Sequence, residues 1–424
     1  MSALMPKASQ ATQRFIARCA QDCQGVFAGL EEVERANTAK VLGAFQGHDV
    51  SARNFAPTNG YGYDDVGRDA LGAMFAQVMG CEAALVRPQI ASGTHALALC
   101  LQGVLRPGDV LLSAAGRPYD TMEQVIGMTG TPGQGSLKEY GVGYRQVELT
   151  AAGELDIPGI LAALDGKVRL VLIQRSRGYD WRPALPVEQI GQAAQAIHRA
   201  NPRAWVMVDN CYGEFTGLQE PGDVGCDLMA GSLIKNPGGG LAPSGGYVAG
   251  SREAVDLVSY RLTCPGIGGE VGAYAGSYQP FYQGLFMAPH AVAQALKTAV
   301  LAARVFERLG YPVHPAYDAP RSDIIEAIKF GAPDPLIAFI RSIQAASPVD
   351  SQAVPEPWDM PGYEDPVIMA AGTFVAGASI ELSADAPIRP PYTAYLQGGL
   401  TYAHGYLAIQ GAVQSILDAG LATL

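Results

Sequence analysis

One lysine of this chain sits where few lysines do. Lys235, in the stretch GSLIKNPGGG at 231–240, follows the apolar pair Leu233-Ile234 and precedes a proline and three glycines. That is a setting for a buried amine with backbone crowded around it, because solvated surface lysines keep polar neighbours. Earlier in the chain, at the end of the apolar run AWVMVDN, stands Asp209. A carboxylate at a strand end and an amine on a following loop can face each other across one ligand. Pyridoxal 5'-phosphate requires that pair: a lysine to bond to the cofactor, and an acid to keep its pyridine nitrogen protonated so that the ring withdraws electrons from a substrate carbanion. Burial and a nearby cationic ring are expected to lower the lysine pKa. Taken alone, Asp209 also reads as a helix cap or turn residue.

A phosphate needs its own seat, and ASGTHA at 91–96 offers one, with Ser92, Gly93 and Thr94 opening the helix predicted over THALALCLQGVL. Free N–H groups and the positive end of a helix bind phosphate, and glycine permits close approach. Ser92 equally suits an N-cap with no ligand. Ser232, three residues before Lys235, offers a further hydroxyl, and Tyr119, a short loop after the strand predicted over DVLLS, could stack on the pyridine ring. With 19 tyrosines in the chain Tyr119 carries no signal by itself, but four such signals in order, placed after strands, converge.

These residues need a frame to position them. The chain has 424 residues, 48% hydrophobic and 16% charged, enough to bury large cores in one big domain and a smaller one. Its net charge of -11, with no basic stretch and no arginine-rich helix, argues against nucleic acid and against an anionic membrane surface. No continuous apolar segment has the length of a membrane span. The seven cysteines include no C-x-x-C pair and no secretory leader precedes them, so a cytoplasmic location is expected. Cys19 and Cys23 read as core positions of a helix, and the six histidines show no H-E-x-x-H spacing, so no metal site is expected.

Residues 1–53 read as an N-terminal helical arm of two helices, 12–30 and 31–48. Beyond them helices alternate with the strands DVLLS, GYRQVELT, VRLVLIQR, AWVMVDN and GGYVAG, which predicts an α/β large domain over 54–288 with a mostly parallel sheet covered by helices on both faces. Ligands in such sheets bind at the carboxyl ends of the strands. A long alanine-rich helix at 289–310 opens a smaller C-terminal α+β domain over 289–424, which includes a proline-rich acidic loop at 347–366.

The segments GYGYDDVGRD, ASGTHA, RPYDTM, VDNCYGEF, GSLIKNPGGG and APIRPPYTAYLQGGLTY, spread over residues 54–405, together resemble the fold-type I pyridoxal-phosphate enzymes of cysteine and methionine metabolism. The resemblance is closest to the branch of methionine gamma-lyase-like or aluminium resistance proteins, which is similar to cystathionine beta-lyases. It implies the aspartate aminotransferase-like fold and assigns roles position by position. Lys235 carries the cofactor, Asp209 pairs with its ring nitrogen, Tyr119 stacks on the ring, and Ser92, Gly93, Thr94 and Ser232 hold the phosphate. Tyr61 or Tyr63, with Arg68, reaches the neighbouring subunit's site, which implies a homodimer or homotetramer with sites at the dimer interface. Two departures stand out. The spacing in GYGYDDVGRD differs from the usual tyrosine-serine-arginine arrangement, which leaves Tyr61 and Tyr63 as alternatives, and SLIK replaces the commoner serine-any-threonine-lysine, which removes one phosphate hydroxyl.

An amino-acid substrate brings a carboxylate, for which a bidentate arginine is the natural receptor. Arg389 in DAPIRPPY is the candidate, and Arg175, Arg177 and Arg182 in QRSRGYDWRP compete with it. The expected activity is carbon-sulfur lyase, acting on cystathionine, cysteine or methionine by beta- or gamma-elimination to a 2-oxo acid, ammonia and a thiol. Tyr119 or another tyrosine is the expected acid for the leaving group. An aminotransferase would use the same lysine, aspartate and arginine, and a cofactor-binding stress-response protein with little turnover is the alternative outside catalysis. An NAD-type oxidoreductase is excluded because no G-x-G-x-x-G follows a strand. The glycines at 238–240 read as a flexible loop, or as small residues where a subunit partner or substrate passes close.

Overall fold

Strands that are apolar on both faces need cover on both sides, and VRLVLIQ at 168–174 is one of them. Val168, Val171 and Ile173 enter one core while Leu170 and Leu172 enter another. The computed structural model of the chain describes residues 7–359 and 365–424. Its larger sheet contains β1 (Ala83–Arg87), β2 (Val110–Ser113), β3 (Gly143–Gln146), β4 (Val168–Gln174), β5 (Trp205–Asp209), β6 (Leu228–Ser232) and β7 (Gly246–Gly250), in the order β1-β7-β6-β5-β4-β2-β3. The strands from β6 to β3 in that order are parallel, and β7 runs antiparallel to both β1 and β6. The fold is therefore a mostly parallel α/β sheet, as the alternation of elements implies.

Helices cover both faces. Helices α1 (Gln10–Asp22) and α2 (Gln24–Gly47) form the arm, and α2 packs with α3 (Val66–Val78), α6 (Ile157–Ala163) and α7 (Val187–Ala200) on one face, while α4 (Gly93–Val104), α5 (Asp120–Ile126) and α8 (Arg252–Leu262) cover the other. The arm breaks at Cys23, which is buried, and not near residue 30 as its composition suggested. A second sheet, all antiparallel, holds β8 (Val313–His314), β9 (Glu326–Lys329), β10 (Val367–Ala370), β11 (Ser383–Pro387) and β12 (Thr393–Gln397), in the order β10-β11-β12-β9-β8. It packs with α10 (Pro333–Ala345) and α11 (Tyr402–Asp418).

The helix expected from 289 begins ten residues earlier, as α9 (Gln279–Arg308), with Pro289 inside it. Its first half, to Leu296, packs into the core of the large sheet, and its second half, from Leu301, into that of the small sheet. The expected boundary between residues 288 and 289 thus falls inside one continuous helix, whose residues to Leu296 still pack into the large-sheet core. This helix is long and apolar enough to cross a membrane, but most of it is buried inside the molecule. The acidic loop of 347–366 runs over residues of which 360–364 lie outside those described.

Candidate active site

Parallel β4, β5 and β6 end side by side at Gln174, Asp209 and Ser232, and Lys235 follows β6 by a tight turn. Those carboxyl ends line a cavity of about 380 Å³, into which Asp209, Ser232 and Lys235 all open. The Lys235 ammonium lies over the ring of Tyr212, 3.9 Å from its centroid. Burial disfavours its charge, yet the neighbouring Cys211, Tyr212 and Asp209 together raise its pKa above the ordinary lysine range. The lowered pKa expected from sequence depended on a cationic ring that only a cofactor brings. Burial pushes Asp209 up, while Lys235 and the Cys211 N–H, 3.1 Å from Oδ1, pull it back.

The segment expected to seat a phosphate lies at the start of α4. Ser92 Oγ accepts the His95 N–H at 3.1 Å, so Ser92 does cap the helix. The first-turn N–H groups of Gly93 and Thr94 have no intrahelical acceptor, and both residues line the cavity. A Cβ built on Gly93 would come into ordinary contact with Cys211 Sγ and Ser232 Cβ, each at 3.4 Å, which packs the glycine against the end of β6. Thr94 Oγ1 bonds Thr121 Oγ1 at 2.9 Å, and Ser232 Oγ accepts the Ile234 N–H at 3.3 Å. Tyr119 stands on the opposite wall in a row of rings, 6.3 Å from Tyr179, which is 5.3 Å from Tyr395 of the small sheet.

Among the lining residues the sequence reading did not single out, two bear on the chemistry. Tyr212 has positive φ, +72°, a strained setting for a tyrosine, and its signal was its place three residues after Asp209. Asp385 is the middle residue of β11 and opens into the cavity, and its signal was one carboxylate in the run SADAP of otherwise small residues.

Other expected residues lie elsewhere. Arg389 is half exposed, paired with Asp365 at 2.8 Å, and lines a larger neighbouring cavity of about 860 Å³ that shares Tyr119, Gln174, Gly178 and Tyr179 with the first. Arg177 and Arg182 line that outer cavity too. Arg177 donates to the His314 carbonyl at 2.7 Å, and Arg182 to the Pro183 carbonyl at 3.0 Å. Arg175 is buried behind β5, bonded to Asn210 at 2.8 Å and near Glu220 at 3.6 Å, where it braces the strand end. Tyr61 and Tyr63 are exposed, and buried Arg68 donates to the Gly62 carbonyl at 2.8 Å and to Asp69 at 2.8 Å. None of these three lines either cavity of its own chain. The glycines at 238–240 approach this chain's own α9 and Leu400, not an open loop's solvent.

The methionine gamma-lyase family model matches residues 12–417. YnbB of Bacillus subtilis (strain 168), an uncharacterized protein, is 51% identical over 397 residues, 94% of either chain. The crystal structure of a carbon-sulfur lyase involved in aluminum resistance from Clostridium novyi NT is similar at TM-score 0.93 and 49% identity, with 96% of each chain covered. The pyridoxal-5'-phosphate dependent protein YhfS of Escherichia coli shares the fold at TM-score 0.63 and 14% identity, over 92% of this chain and 97% of that one.

Proposed function

The chain belongs to the methionine gamma-lyase family, and on that premise we propose that it is a pyridoxal-phosphate-dependent carbon-sulfur lyase. Its substrates are sulfur amino acids of the cystathionine, cysteine and methionine type, cleaved to a 2-oxo acid, ammonia and a thiol. The observation that carries this reading is the convergence of Lys235, Asp209 and the first turn of α4 on one cavity.

The residues present fit the cofactor. Asp209 is a buried carboxylate whose one cationic neighbour, Lys235, would be spent in bonding the cofactor, which leaves it to face a protonated ring nitrogen. Ser92, Gly93, Thr94 and Ser232 form an anion seat, and Tyr119 and Tyr212 flank the space between. When bound, the cofactor supplies an electron sink for a carbanion at the substrate's Cα. Lys235 would hold the cofactor and, with its amine free, would be the base that takes the Cα proton, and the Tyr212 ring beneath it would limit where the amine can swing. Tyr119, which lines both the inner and the outer cavity, is the expected acid for a departing thiolate. Arg389 at the outer cavity is the candidate carboxylate receptor, and Tyr61 or Tyr63 with Arg68 completes the partner's site in a cytoplasmic dimer or tetramer.

The test is purified protein with pyridoxal phosphate, incubated with cystathionine, cysteine, homocysteine and methionine, beside Lys235→Ala. Thiol and 2-oxo acid are expected in equal amounts, and neither from the variant. Oxo acid formed only when an acceptor keto acid is added would replace this reading with an aminotransferase.

A further inference from the structure

The inner cavity has two carboxylates and one cation among its lining residues, and Asp209 with Lys235 accounts for one of each. Asp385 is left. It enters from the opposite wall, on β11 of the small sheet, where its Oδ2 accepts from Gln397 Nε2 at 3.1 Å and Tyr179 gives it a further bond. Both partners are neutral, so they orient the carboxylate without cancelling its charge. Burial pushes its carboxyl up to about 6, and once Lys235 is bonded to a cofactor, a ligand ammonium is what would favour its charged form. Two residues beyond the end of β11 stands Arg389, whose pair with Asp365 is half exposed and therefore weak enough to exchange for another carboxylate. The strand thus leads from an anionic point in the inner cavity to a cationic one in the outer.

Resting on the lyase reading above, we propose that Asp385 receives a second ammonium group, so that the site selects thioethers carrying two amino-acid heads over simple S-alkyl amino acids. The distal head places its ammonium at Asp385, while the reacting head lies at Lys235 with its carboxylate toward Arg389. A substrate ending in a methyl group would leave Asp385 unpaired and the outer cavity unfilled, and a site built to bond a polar group discriminates strongly against analogues that lack it.

Binding of uncleavable ligands to the holoenzyme tests this apart from turnover. Diaminosuberate has a methylene in place of the cystathionine sulfur, and aminosuberate lacks one of its amino groups. The dissociation constants, from calorimetry or the cofactor absorbance, should favour diaminosuberate by about tenfold or more in the wild type. Asp385→Asn should bring the two within about twofold, and Asp385→Glu, which keeps the charge, should retain part of the preference. Equal affinities in the wild type, or an undiminished preference in Asp385→Asn, would overturn the assignment. If Asp385→Asn does not fold, the wild-type ligand pair and Asp385→Glu still decide it. Thiol release from cystathionine is scored separately. Release without the preference sinks the ammonium pocket alone, and the preference without release sinks the lyase reading and leaves the pocket standing.

Discussion

Glu214 lies behind the lysine turn, fully buried, with Oε1 accepting the Tyr247 hydroxyl at 2.8 Å, while its carbonyl accepts from Asn236, the residue after Lys235. Burial pushes its carboxyl up to about 8, against the lowering effect of its hydrogen bonds. A carboxyl with a folded pKa above its unfolded one holds a proton in the native state that the unfolded state has lost. Its stabilising contribution is therefore complete below about pH 4.5 and falls as pH rises to about 8, by up to about 1.4 kcal/mol per pH unit. Glu214→Gln copies the protonated form and removes this slope. Unfolding by denaturant at pH 6 and pH 8.5 should show the variant gaining on the wild type at the higher pH. A gap that does not change with pH would mean that Glu214 is ionised at both.

At the scale of elements, the turn after β6 is shaped by what touches it. A Cβ on Gly238 would fall 1.7 Å from the Leu233 carbonyl oxygen, and one on Gly284 of α9 would fall 2.3 Å from the Gly238 carbonyl oxygen, so the lysine turn and the helix meet backbone to backbone. Gly238→Ala and Gly284→Ala should each lower stability by about 2 kcal/mol or more and weaken cofactor binding, because the turn that aims Lys235 must move. Gly25→Ala, in α2 with open space at its Cβ, should be neutral or stabilising by up to about 1 kcal/mol. Equal losses in all three, measured by thermal unfolding and cofactor titration, would deny the close packing its role. The sequence made the interior strands β2, β4 and β5 plain through their apolar runs, and with them the position of Asp209. It hid β6, because LMAGS ends in small residues with weak strand preference, and β1, which alternates no better. Lys235 was therefore legible as a buried amine before the strand that presents it was. Asp385 was illegible for a different reason: it meets the cavity only when the small sheet folds across from the large one, a pairing no local pattern encodes.

For the whole molecule, the exposed loop at 61–63 poses the open question of assembly. Tyr61 and Tyr63 are 72% and 63% exposed with rings 5.6 Å apart, and Arg68 fixes the loop from beneath by its bond to the Gly62 carbonyl. The loop rests on Gly272 and Ala273, and two adjacent exposed aromatic rings of this kind suit an interface. Neither tyrosine lines the inner or the outer cavity of its own chain, so a direct effect of theirs on the cofactor would come from a second copy. Replacing both by Phe should weaken cofactor binding several-fold with the fold intact, and replacing both by Asp should shift sedimentation toward monomer. The decisive arrangement is a mixed dimer. Chains with Lys235→Ala and chains with both tyrosines replaced by Phe are each poor alone, but a mixed pair holds one site with its own lysine and its partner's tyrosines. Random pairing in co-expressed protein makes half the dimers mixed, with one complete site each, so activity should recover to about one quarter of the wild-type value. Recovery to no more than the mean of the two parent activities would place the tyrosines' influence inside a single chain.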